Sequence, residues 1–373
     1  MRTSRLTVVL LCAGVVLAAC SSKHVAADSA TGEGWAPFPV VEGVGVGQEL
    51  TQYYSPQPRS EEQYRICAVL PALASPLLPV PSTTKAIAFG IADQARRQNV
   101  VVRTFTASTN ALQAQRLKSC KANADALIVY WVDSSEAGLA GVVPTERELG
   151  NEELIVVGAP SGSYAATHSS RVVADPELGE AVAGAQWALG DSGGVPGTVV
   201  VLPGAATDAK GHPTNARAIA SLVTSTLSTT ALKVVGTYYG PNDLESQRKL
   251  VVKAMSEHPG LTYVIGTATA AQSAGWIFES MNTDRRPRAV SLGITPTVDE
   301  LARSAAIAGA MSGSPVIQGR IALDQAAKAA REAPFLMLYS VNIAPVPVPI
   351  DSTNVNTSPS DWWQAPAPGK TSE

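Results

Sequence analysis

Polar and aromatic side chains follow several short β-branched runs of this sequence, at the points where strands would end. In an open α/β sheet, ligands bind outside the carboxyl ends of the strands, so side chains at these positions converge on one site. An aromatic face there can hold a cationic group for roughly 0.5–2 kcal/mol. Each position also has a structural alternative, in which the side chain caps a loop or packs in the core. The candidate ligand-binding residues are Ser75, Trp131, Asp133, Ser161, Tyr164, Asp175, Tyr239, Asn242, Thr267, Thr295 and, in a late helical motif, Gln318.

Catalytic and cofactor motifs are absent from the sequence. G-A-P-S-G at 158–162 has the wrong spacing for a nucleophile elbow. G-V-G-V-G at 43–47 precedes any strand, and G-A-A-T-D-A-K at 204–210 lacks the second glycine of a phosphate loop. The four histidines are scattered, with no H-E-x-x-H and no Cys/His cluster. We therefore predict no enzyme activity, no cofactor and no metal site.

The segment from Met1 to Cys20 has the pattern of a bacterial lipoprotein signal. Arg2 and Arg5 precede an apolar run, Leu6–Leu17, which is shorter than the roughly 20 residues that span a bilayer. The run ends in L-A-A-C, which predicts signal cleavage after residue 19 and lipidation of Cys20. The alternative is a plain secretory signal. Ser21 after the cysteine favours the outer over the inner membrane, and the chain itself is expected in the periplasm.

Charge and cysteine usage fit that compartment. The formal net charge of −3 becomes −5 without the signal, which removes two arginines, and this balance argues against nucleic-acid binding. Cys67 and Cys120 remain as a pair, which in an oxidising compartment predicts one disulfide. Two separate buried thiols are the alternative.

The elements that would position these residues alternate between strand and helix patterns, which predicts parallel sheets covered by helices on both faces. A pause at Gly158–Ser170 divides the pattern, so we expect two such sheets in sequence. The predicted strands are Ile66–Leu70, Val100–Thr106, Ala126–Val132, Leu154–Ala159, Thr198–Pro203, Leu232–Tyr239, Thr262–Thr267 and Ala289–Gly293. The predicted helices are Thr83–Gln98, Asn110–Ala122, Glu177–Leu189, Thr214–Leu227, Leu244–Glu257 and Ala268–Met281.

Both ends of the chain have little periodicity. Residues 20–63 are interpreted as a flexible tether and then an extended lead from Trp35, and residues 346–373 as a Pro-rich tail. Trp362 and Trp363 in this tail either pack on the protein itself or contact a partner.

Two motifs resemble the type I periplasmic binding proteins. They are V-V-A-D-P-E-L-G-E-A at 172–181, opening a helix, and S-P-V-I-Q-G-R-I-A-L-D-Q-A-A-K at 314–328, a helix that packs back on the first lobe. Q-Y-R-I-C-A-V-L-P at 63–71, with Cys120 in the second helix, is similar to the TorT-like periplasmic sensors within that family. The resemblance covers Trp35 to about Pro347.

The resemblance implies two Rossmann-like lobes joined by three crossings, with a small-molecule ligand in the cleft. Lobe 1 would comprise 64–159 and 295–333, and lobe 2 would comprise 160–294 and 334–345. Closure of such a cleft is a hinge motion that changes the surface offered to a partner.

The sequence departs from TorT-like sensors at the loop after the first strand. In that family an aromatic cage for trimethylamine N-oxide is built partly from this loop, which here is P-A-L-A-S-P-L-L-P-V-P-S-T-T without an aromatic residue. Trp131, Tyr164, Tyr238 and Tyr239 remain as cage candidates. The sequence therefore does not support trimethylamine N-oxide as the ligand.

Three functions are compatible with these patterns. The first is a lipid-anchored binding protein that signals to a membrane sensor histidine kinase, as the resemblance implies. The second is a substrate-binding lipoprotein that delivers a sugar or other small polar solute to an ABC permease. The third is a structural envelope lipoprotein that has lost its ligand, which Leu77 and Leu78 in the first loop would suit.

Overall fold

The computed structural model contains two mostly parallel β-sheets with helices on their faces, which confirms the predicted α/β class. The structure describes residues 38–44, 49–54, 59–72, 81–133, 136–144, 148–149, 153–159, 171–174, 176–207, 211, 214–281, 286–331 and 341–356.

The first sheet has eight strands in the order β2-β1-β13-β7-β6-β5-β3-β4. All neighbours pair in parallel except β2 with β1 and β1 with β13. Its strands are β1 Phe38–Val44, β2 Glu49–Tyr54, β3 Tyr64–Pro71, β4 Val100–Ala107, β5 Ala126–Tyr130, β6 Leu154–Ala159, β7 Arg171–Ala174 and β13 Val341–Pro345. Its helices are α1 Pro81–Gln98, α2 Asn110–Cys120, the short α3 Glu136–Leu139 and α9 Pro315–Arg331, with a 3₁₀ turn at Lys121–Asn123.

The second sheet has six strands in the order β14-β12-β11-β10-β8-β9, and only β14 is antiparallel to its neighbour. Its strands are β8 Gly197–Leu202, β9 Leu232–Thr237, β10 Tyr263–Thr267, β11 Arg288–Leu292, β12 Gly309–Ser312 and β14 Val348–Ile350. Its helices are α4 Glu177–Asp191, α5 Ala216–Leu227, α6 Leu244–Glu257, α7 Ala268–Glu279 and α8 Pro296–Arg303.

The helices on both faces of the first sheet bury its central strands. The central strands β5 and β6 are apolar along almost their whole length and lie between a core on the α1/α9 face and a core on the α2 face. The prediction that Val100–Thr106 is buried on both faces is wrong. This segment forms β4, the last strand of the sheet, and its residue Val101 is 48% exposed.

Helices α1 and α9 cross at very close range. A Cβ atom added to Gly90 would lie 2.1 Å from the Val316 carbonyl oxygen, and one added to Gly319 would lie 2.2 Å from the Ile87 carbonyl oxygen. Only glycine fits at either position, so the late motif at 314–328 does pack back on the first sheet, as expected.

Buried polar side chains also join α1 to α9. The Arg320 guanidinium donates to Asp93 at 2.9 Å, and the two side chains are only 3% and 8% exposed. Gln94 and Gln98 donate to the Asp324 carboxylate at 3.2 and 2.8 Å. Because these groups lie away from water, losing one partner costs more than the net value of each bond.

Cys67 in β3 and Cys120 at the end of α2 form a disulfide, which confirms the predicted pairing. The bond joins two elements 53 residues apart in sequence. It holds the carboxyl end of α2 against the sheet, next to the core residue Leu117.

The expected lobe boundaries differ from the observed sheets in three places. Residues 171–174 and 341–345, assigned to lobe 2, form β7 and β13 of the first sheet, because β13 pairs with β7 and β7 with β6. Residues 309–312, assigned to lobe 1, form β12 of the second sheet. These strands are too short to show a hydrophobic period in the sequence.

Both expected ends contribute strands. Residues 38–54, within the expected lead, form the β1–β2 pair, which extends the first sheet through β13. Residues 348–350, within the expected tail, form β14, and Ile350 and Val355 are buried against the second sheet. A proline is tolerated in β14 because it is an edge strand. Cys20, Trp35, Trp362 and Trp363 lie outside the described residues.

No helix among the described residues is both long enough and apolar enough to cross a bilayer.

Candidate functional site

The chain passes between the two sheets three times, after β7, after β12 and after β13. The first two crossings touch each other: a Cβ atom added to Gly313 would lie 2.5 Å from Pro176 Cγ. The third lies beside the start of α4, where a Cβ atom on Gly179 would be 3.3 Å from Pro347 Cγ. The three connections therefore form one bundle, which is the arrangement of a hinge.

Two carboxylates lie at this bundle, in the first turn of α4. The Glu177 carboxylate accepts a hydrogen bond from Asn215 Nδ2 at 2.9 Å. Burial raises the pKa of Glu177, and the Asn215 hydrogen bond opposes part of that rise. Glu180 is 7% exposed, and its carboxyl oxygens face the backbone of Gly313 and Gly293. Both acids are favoured electrostatically at a helix N-terminus.

The loops at the carboxyl ends of β8, β9 and β10 come together in the second lobe. Thr267 donates to Asn242 Oδ1 at 2.7 Å, so these two predicted site residues are in direct contact. Thr267 also caps α7, and its methyl group faces Gly204. Gly240 N–H donates to the Gly204 carbonyl oxygen at 3.1 Å, which ties the loops after β8 and β9.

Thr295, a further predicted residue, caps α8 by accepting from Val298 N–H at 3.2 Å. Gln318 is 5% exposed and donates to the Gly313 carbonyl oxygen at 3.0 Å, so it braces the second crossing. In this structure both side chains form hydrogen bonds with the protein backbone.

In the first lobe, Trp131 and Asp133 follow β5. Trp131 is 2% exposed within the core on the α2 face, and its indole N–H has no hydrogen-bond partner among the described residues. The Asp133 side chain lies against Gly138, and its backbone is held by Asn110, which accepts from Asp133 N–H at 3.1 Å and donates to Asp133 O at 2.6 Å.

Asn110 and Gln113, which are not among the predicted site residues, also hold the loop after β5. Gln113 donates to the Tyr130 carbonyl oxygen at 2.7 Å and accepts from Val132 N–H at 2.9 Å. Both are buried on the inner face of α2, so together they fix the backbone of the loop after β5. Their sequence signal is amides spaced three apart on the apolar side of an amphipathic helix.

The aromatic residues do not assemble into a cage in the described part of the chain. Tyr238 turns toward α6, where its hydroxyl contacts Glu257 at 2.5 Å and His258 at 3.0 Å. Burial and the Glu257 carboxylate raise the pKa of Tyr238 to about 12. Tyr239 is 42% exposed, and Trp131 is in the core. The remaining predicted residues, Ser75, Ser161, Tyr164 and Asp175, lie outside the described residues.

The described residues contain no group of three or more His, Cys, Asp or Glu side chains placed to hold a metal ion. What they bring together is a pair of carboxylates, one contact between a threonine and an asparagine, and several glycine backbones at the ends of parallel strands. Such a set can hydrogen-bond a small polar molecule and neutralise a positive charge on it.

Known proteins share part of this sequence. No family model matches the chain. The chain is 26% identical over 289 residues to the periplasmic protein TorT of Escherichia coli O157:H7, covering 75% of this chain and 76% of the relative. TorT of strain K12 matches to the same degree, over 290 residues. The chain is therefore similar to TorT over three quarters of its length.

Solved structures of the same fold include a solute-binding protein of an ABC transporter and TorT in complex with a sensor domain. An ABC transporter solute-binding protein from Bradyrhizobium sp. BTAi1 with bound bis-tris superimposes with a TM-score of 0.76 at 21% identity, covering 90% of this chain and 98% of that chain. TorT in complex with the TorS sensor domain, without ligand, gives 0.64 at 19% identity, covering 83% and 99%. These relatives and structural neighbours are periplasmic or solute-binding proteins rather than enzymes.

Proposed function

We propose that this TorT-like protein binds a small molecule between its two lobes, closes on it, and signals through the closed form to a membrane sensor histidine kinase. The observation that carries the proposal is the bundle of three crossings with Glu177 and Glu180 beside it. A hinge there converts ligand contacts into a relative movement of the lobes. TorT in complex with the TorS sensor domain has the same fold.

The ligand that fits best is a small amine or amine-polyol. Carboxylates stabilise a cation without needing an aromatic cage, and Asn242, Thr267 and Thr295 supply amide and hydroxyl groups. Bis-tris, an amine carrying hydroxyl groups, is bound in the Bradyrhizobium solute-binding protein of the same fold. Trp131, whose indole N–H has no partner among the described residues, and Asp133 are proposed contacts from the first sheet. The other proposed contacts are Ser75, Ser161, Tyr164, Asp175, Tyr239 and Gln318.

A periplasmic, lipid-anchored location completes the proposal. The relatives are named as periplasmic proteins, and the lipobox around Cys20 supplies an anchor. Acyl chains contribute about 0.8 kcal/mol per buried methylene, so a multiply acylated cysteine keeps the chain at a membrane. Loss of membrane association on Cys20→Ala, measured by fractionation, is the expected result.

Delivery of the same ligand to an ABC permease is the second candidate. It is favoured by the Bradyrhizobium solute-binding protein, whose TM-score of 0.76 exceeds the 0.64 of TorT in its TorS complex. Binding of the ligand-loaded protein to a kinase sensor domain or to a permease, each from the same genome and reconstituted in nanodiscs, distinguishes the two.

The ligand proposal is tested by thermal shift with a panel of methylated amines, amine-polyols, sugars and amino acids. A ligand at a hundred times its dissociation constant stabilises by about 2.7 kcal/mol. We expect stabilisation by an amine, lost in Glu180→Gln and in Glu177→Gln and retained in the control Glu245→Gln, whose side chain is 79% exposed on α6. Stabilisation by a neutral sugar that persists in both variants would contradict the amine assignment.

A further inference from the structure

A basic groove lies on the first sheet, away from the crossings. It has a volume of about 330 Å³ and runs along β4 beside α2, over the disulfide. Its floor is formed by Val101, Arg103 and Phe105 of β4, and its wall by Arg116 and Ser119 of α2. Asn123, just before β5, and Arg65, near the start of β3, also line the groove, so it lies near the amino ends of these strands.

Two arginines give the groove its charge. The Arg103 and Arg116 guanidinium groups lie 4.7 and 5.7 Å from the centre of the Phe105 ring. Neither forms an ion pair with any carboxylate among the described residues, unlike Arg65, which pairs with Asp125 at 3.1 Å. The positive charge at this surface is therefore not neutralised by the part of the chain that the structure describes.

The groove also borders a sheet edge. β4 is the last strand of the first sheet and pairs only with β3 in the described structure. Its outer backbone N–H and C=O groups can therefore accept another extended strand. The span from Val101 to Phe105 is about 13 Å at 3.3 Å per residue, which fits about four residues of extended chain.

We propose that this groove is a docking surface for an acidic extended segment of a protein partner. Carboxylates of the segment pair with Arg103 and Arg116, one apolar side chain covers Val101, which is 48% exposed, and the backbone adds to the edge of β4. A polypeptide is favoured over an anionic membrane surface because a lipid headgroup offers no row of backbone groups to a strand edge. The proposal is independent of the small-molecule site.

Fluorescence anisotropy tests this surface, with the full-length protein and a fluorescein-labelled peptide of the repeat Glu-Thr-Leu-Thr, which places glutamate and leucine on the same face of a strand. We expect salt-sensitive binding that is weakened about tenfold or more by Arg103→Glu with Arg116→Glu, since both charge pairs become repulsive. The matched control is Arg217→Glu with Arg248→Glu, two exposed arginines on α5 and α6 of the other sheet, which changes net charge equally. This control is expected to retain binding.

Hydrogen exchange locates the contact. Peptide binding is expected to slow exchange in residues 100–107, and the same peptide with glutamine in place of glutamate is expected not to do so. The proposal is overturned if the control pair weakens binding as much as the groove pair, if protection falls elsewhere, or if the peptide does not bind. It is also overturned if phosphatidylglycerol vesicles bind through the two groove arginines and the peptide does not.

Discussion

The close crossing of α1 and α9 makes a strong prediction about two glycines. Gly319→Ala places a Cβ atom 2.2 Å from the Ile87 carbonyl oxygen, and Gly90→Ala places one 2.1 Å from the Val316 carbonyl oxygen. Both obstacles are backbone atoms of the facing helix, so a side-chain rotation cannot relieve the contact. The two helices must separate by about 1 Å to reach an ordinary van der Waals distance.

The magnitude follows from two opposing contributions. Alanine is better than glycine inside a helix by about 1 kcal/mol, whereas overpacking a tight contact costs roughly 1–3 kcal/mol, occasionally more. Separation of α1 and α9 also strains the buried Arg320–Asp93 pair. The first two contributions leave a net cost of about 0–2 kcal/mol, and the strain on the ion pair adds to it. We therefore expect Gly319→Ala to lower the free energy of unfolding by about 1–2 kcal/mol, with a similar effect for Gly90→Ala.

The matched control is Gly190→Ala in α4, where an added Cβ atom has no neighbour within 4 Å. It is expected to leave stability unchanged or raise it by up to about 1 kcal/mol. Urea unfolding monitored by circular dichroism measures all three variants. If Gly319→Ala is as stable as Gly190→Ala, the reasoning from the helix crossing is wrong. The double variant Gly90→Ala with Gly319→Ala is expected to cost less than the sum of the single variants, because both act on one separation.

Three further predictions concern the disulfide, the buried ion pair and a buried tyrosine. Replacing Cys67 and Cys120 with serine is expected to lower stability in urea by about 4 kcal/mol, from the entropy of a loop of 53 residues. Asp93→Ala removes the Asp93 carboxylate from the buried Arg320 guanidinium, and is expected to cost about 3–5 kcal/mol. Burial raises the pKa of Tyr263, so the contribution of this residue to thermal stability is expected to be constant below about pH 10 and to be lost above it, because the unfolded state loses its phenolic proton first.

The predictions for the ion pair and for the tyrosine each have a control. Glu245→Ala removes an exposed ion pair with Lys249 and is expected to change stability by less than about 1 kcal/mol. A cost for Asp93→Ala no greater than this would contradict the role of the buried pair. Tyr263→Phe removes the ionising group, which otherwise donates to Asp191 at 2.7 Å, and should reduce the alkaline loss. An unchanged alkaline loss in that variant would assign it to other groups.

The binding site predicts a pH dependence in acid. The carboxylate form of Glu177 attracts a cation, and burial raises the pKa of this residue. Affinity for an amine is therefore expected to rise with pH from about pH 4 upward, through the raised pKa of Glu177, and to become flatter in Glu177→Gln. Calorimetric titration at several pH values measures this dependence, and an affinity that falls with pH over that range would contradict it.

Much of the fold could be predicted from the sequence, because a strand buried in a parallel sheet is a local run of apolar residues and a helix that covers it is locally amphipathic. Leu154–Ala159 and Leu244–Glu257 have the predicted bounds, since an apolar run and an amphipathic period both end at clear breaks. The short strand β12, Gly309–Ser312, has no such pattern in the sequence, and it forms a strand because β11 and β14 lie beside it. The β1–β2 pair was missed for a related reason, since it depends on β13, which lies near the other end of the chain.

The site was less predictable because side-chain direction depends on contacts distant in sequence. Tyr238 and Trp131 have the residue type of cage walls, yet one turns to His258 and the other packs in the core. Glu177 and Glu180 were read only as part of a family motif, and their position beside Gly313 depends on a crossing that comes much later in the chain. Asn242 and Thr267 were predicted, and their mutual contact brings together the loops after β9 and β10, the strands on either side of β8.

Small-angle X-ray scattering of the full-length protein with and without bis-tris tests the central claim most directly, with binding confirmed by calorimetry in the same buffer. If the molecule closes around an amine-polyol at the bundle of crossings, saturation should decrease the radius of gyration, and Glu180→Gln should abolish both the binding and the decrease. Binding without a change in radius, or a decrease that persists in Glu180→Gln, would contradict closure at this site.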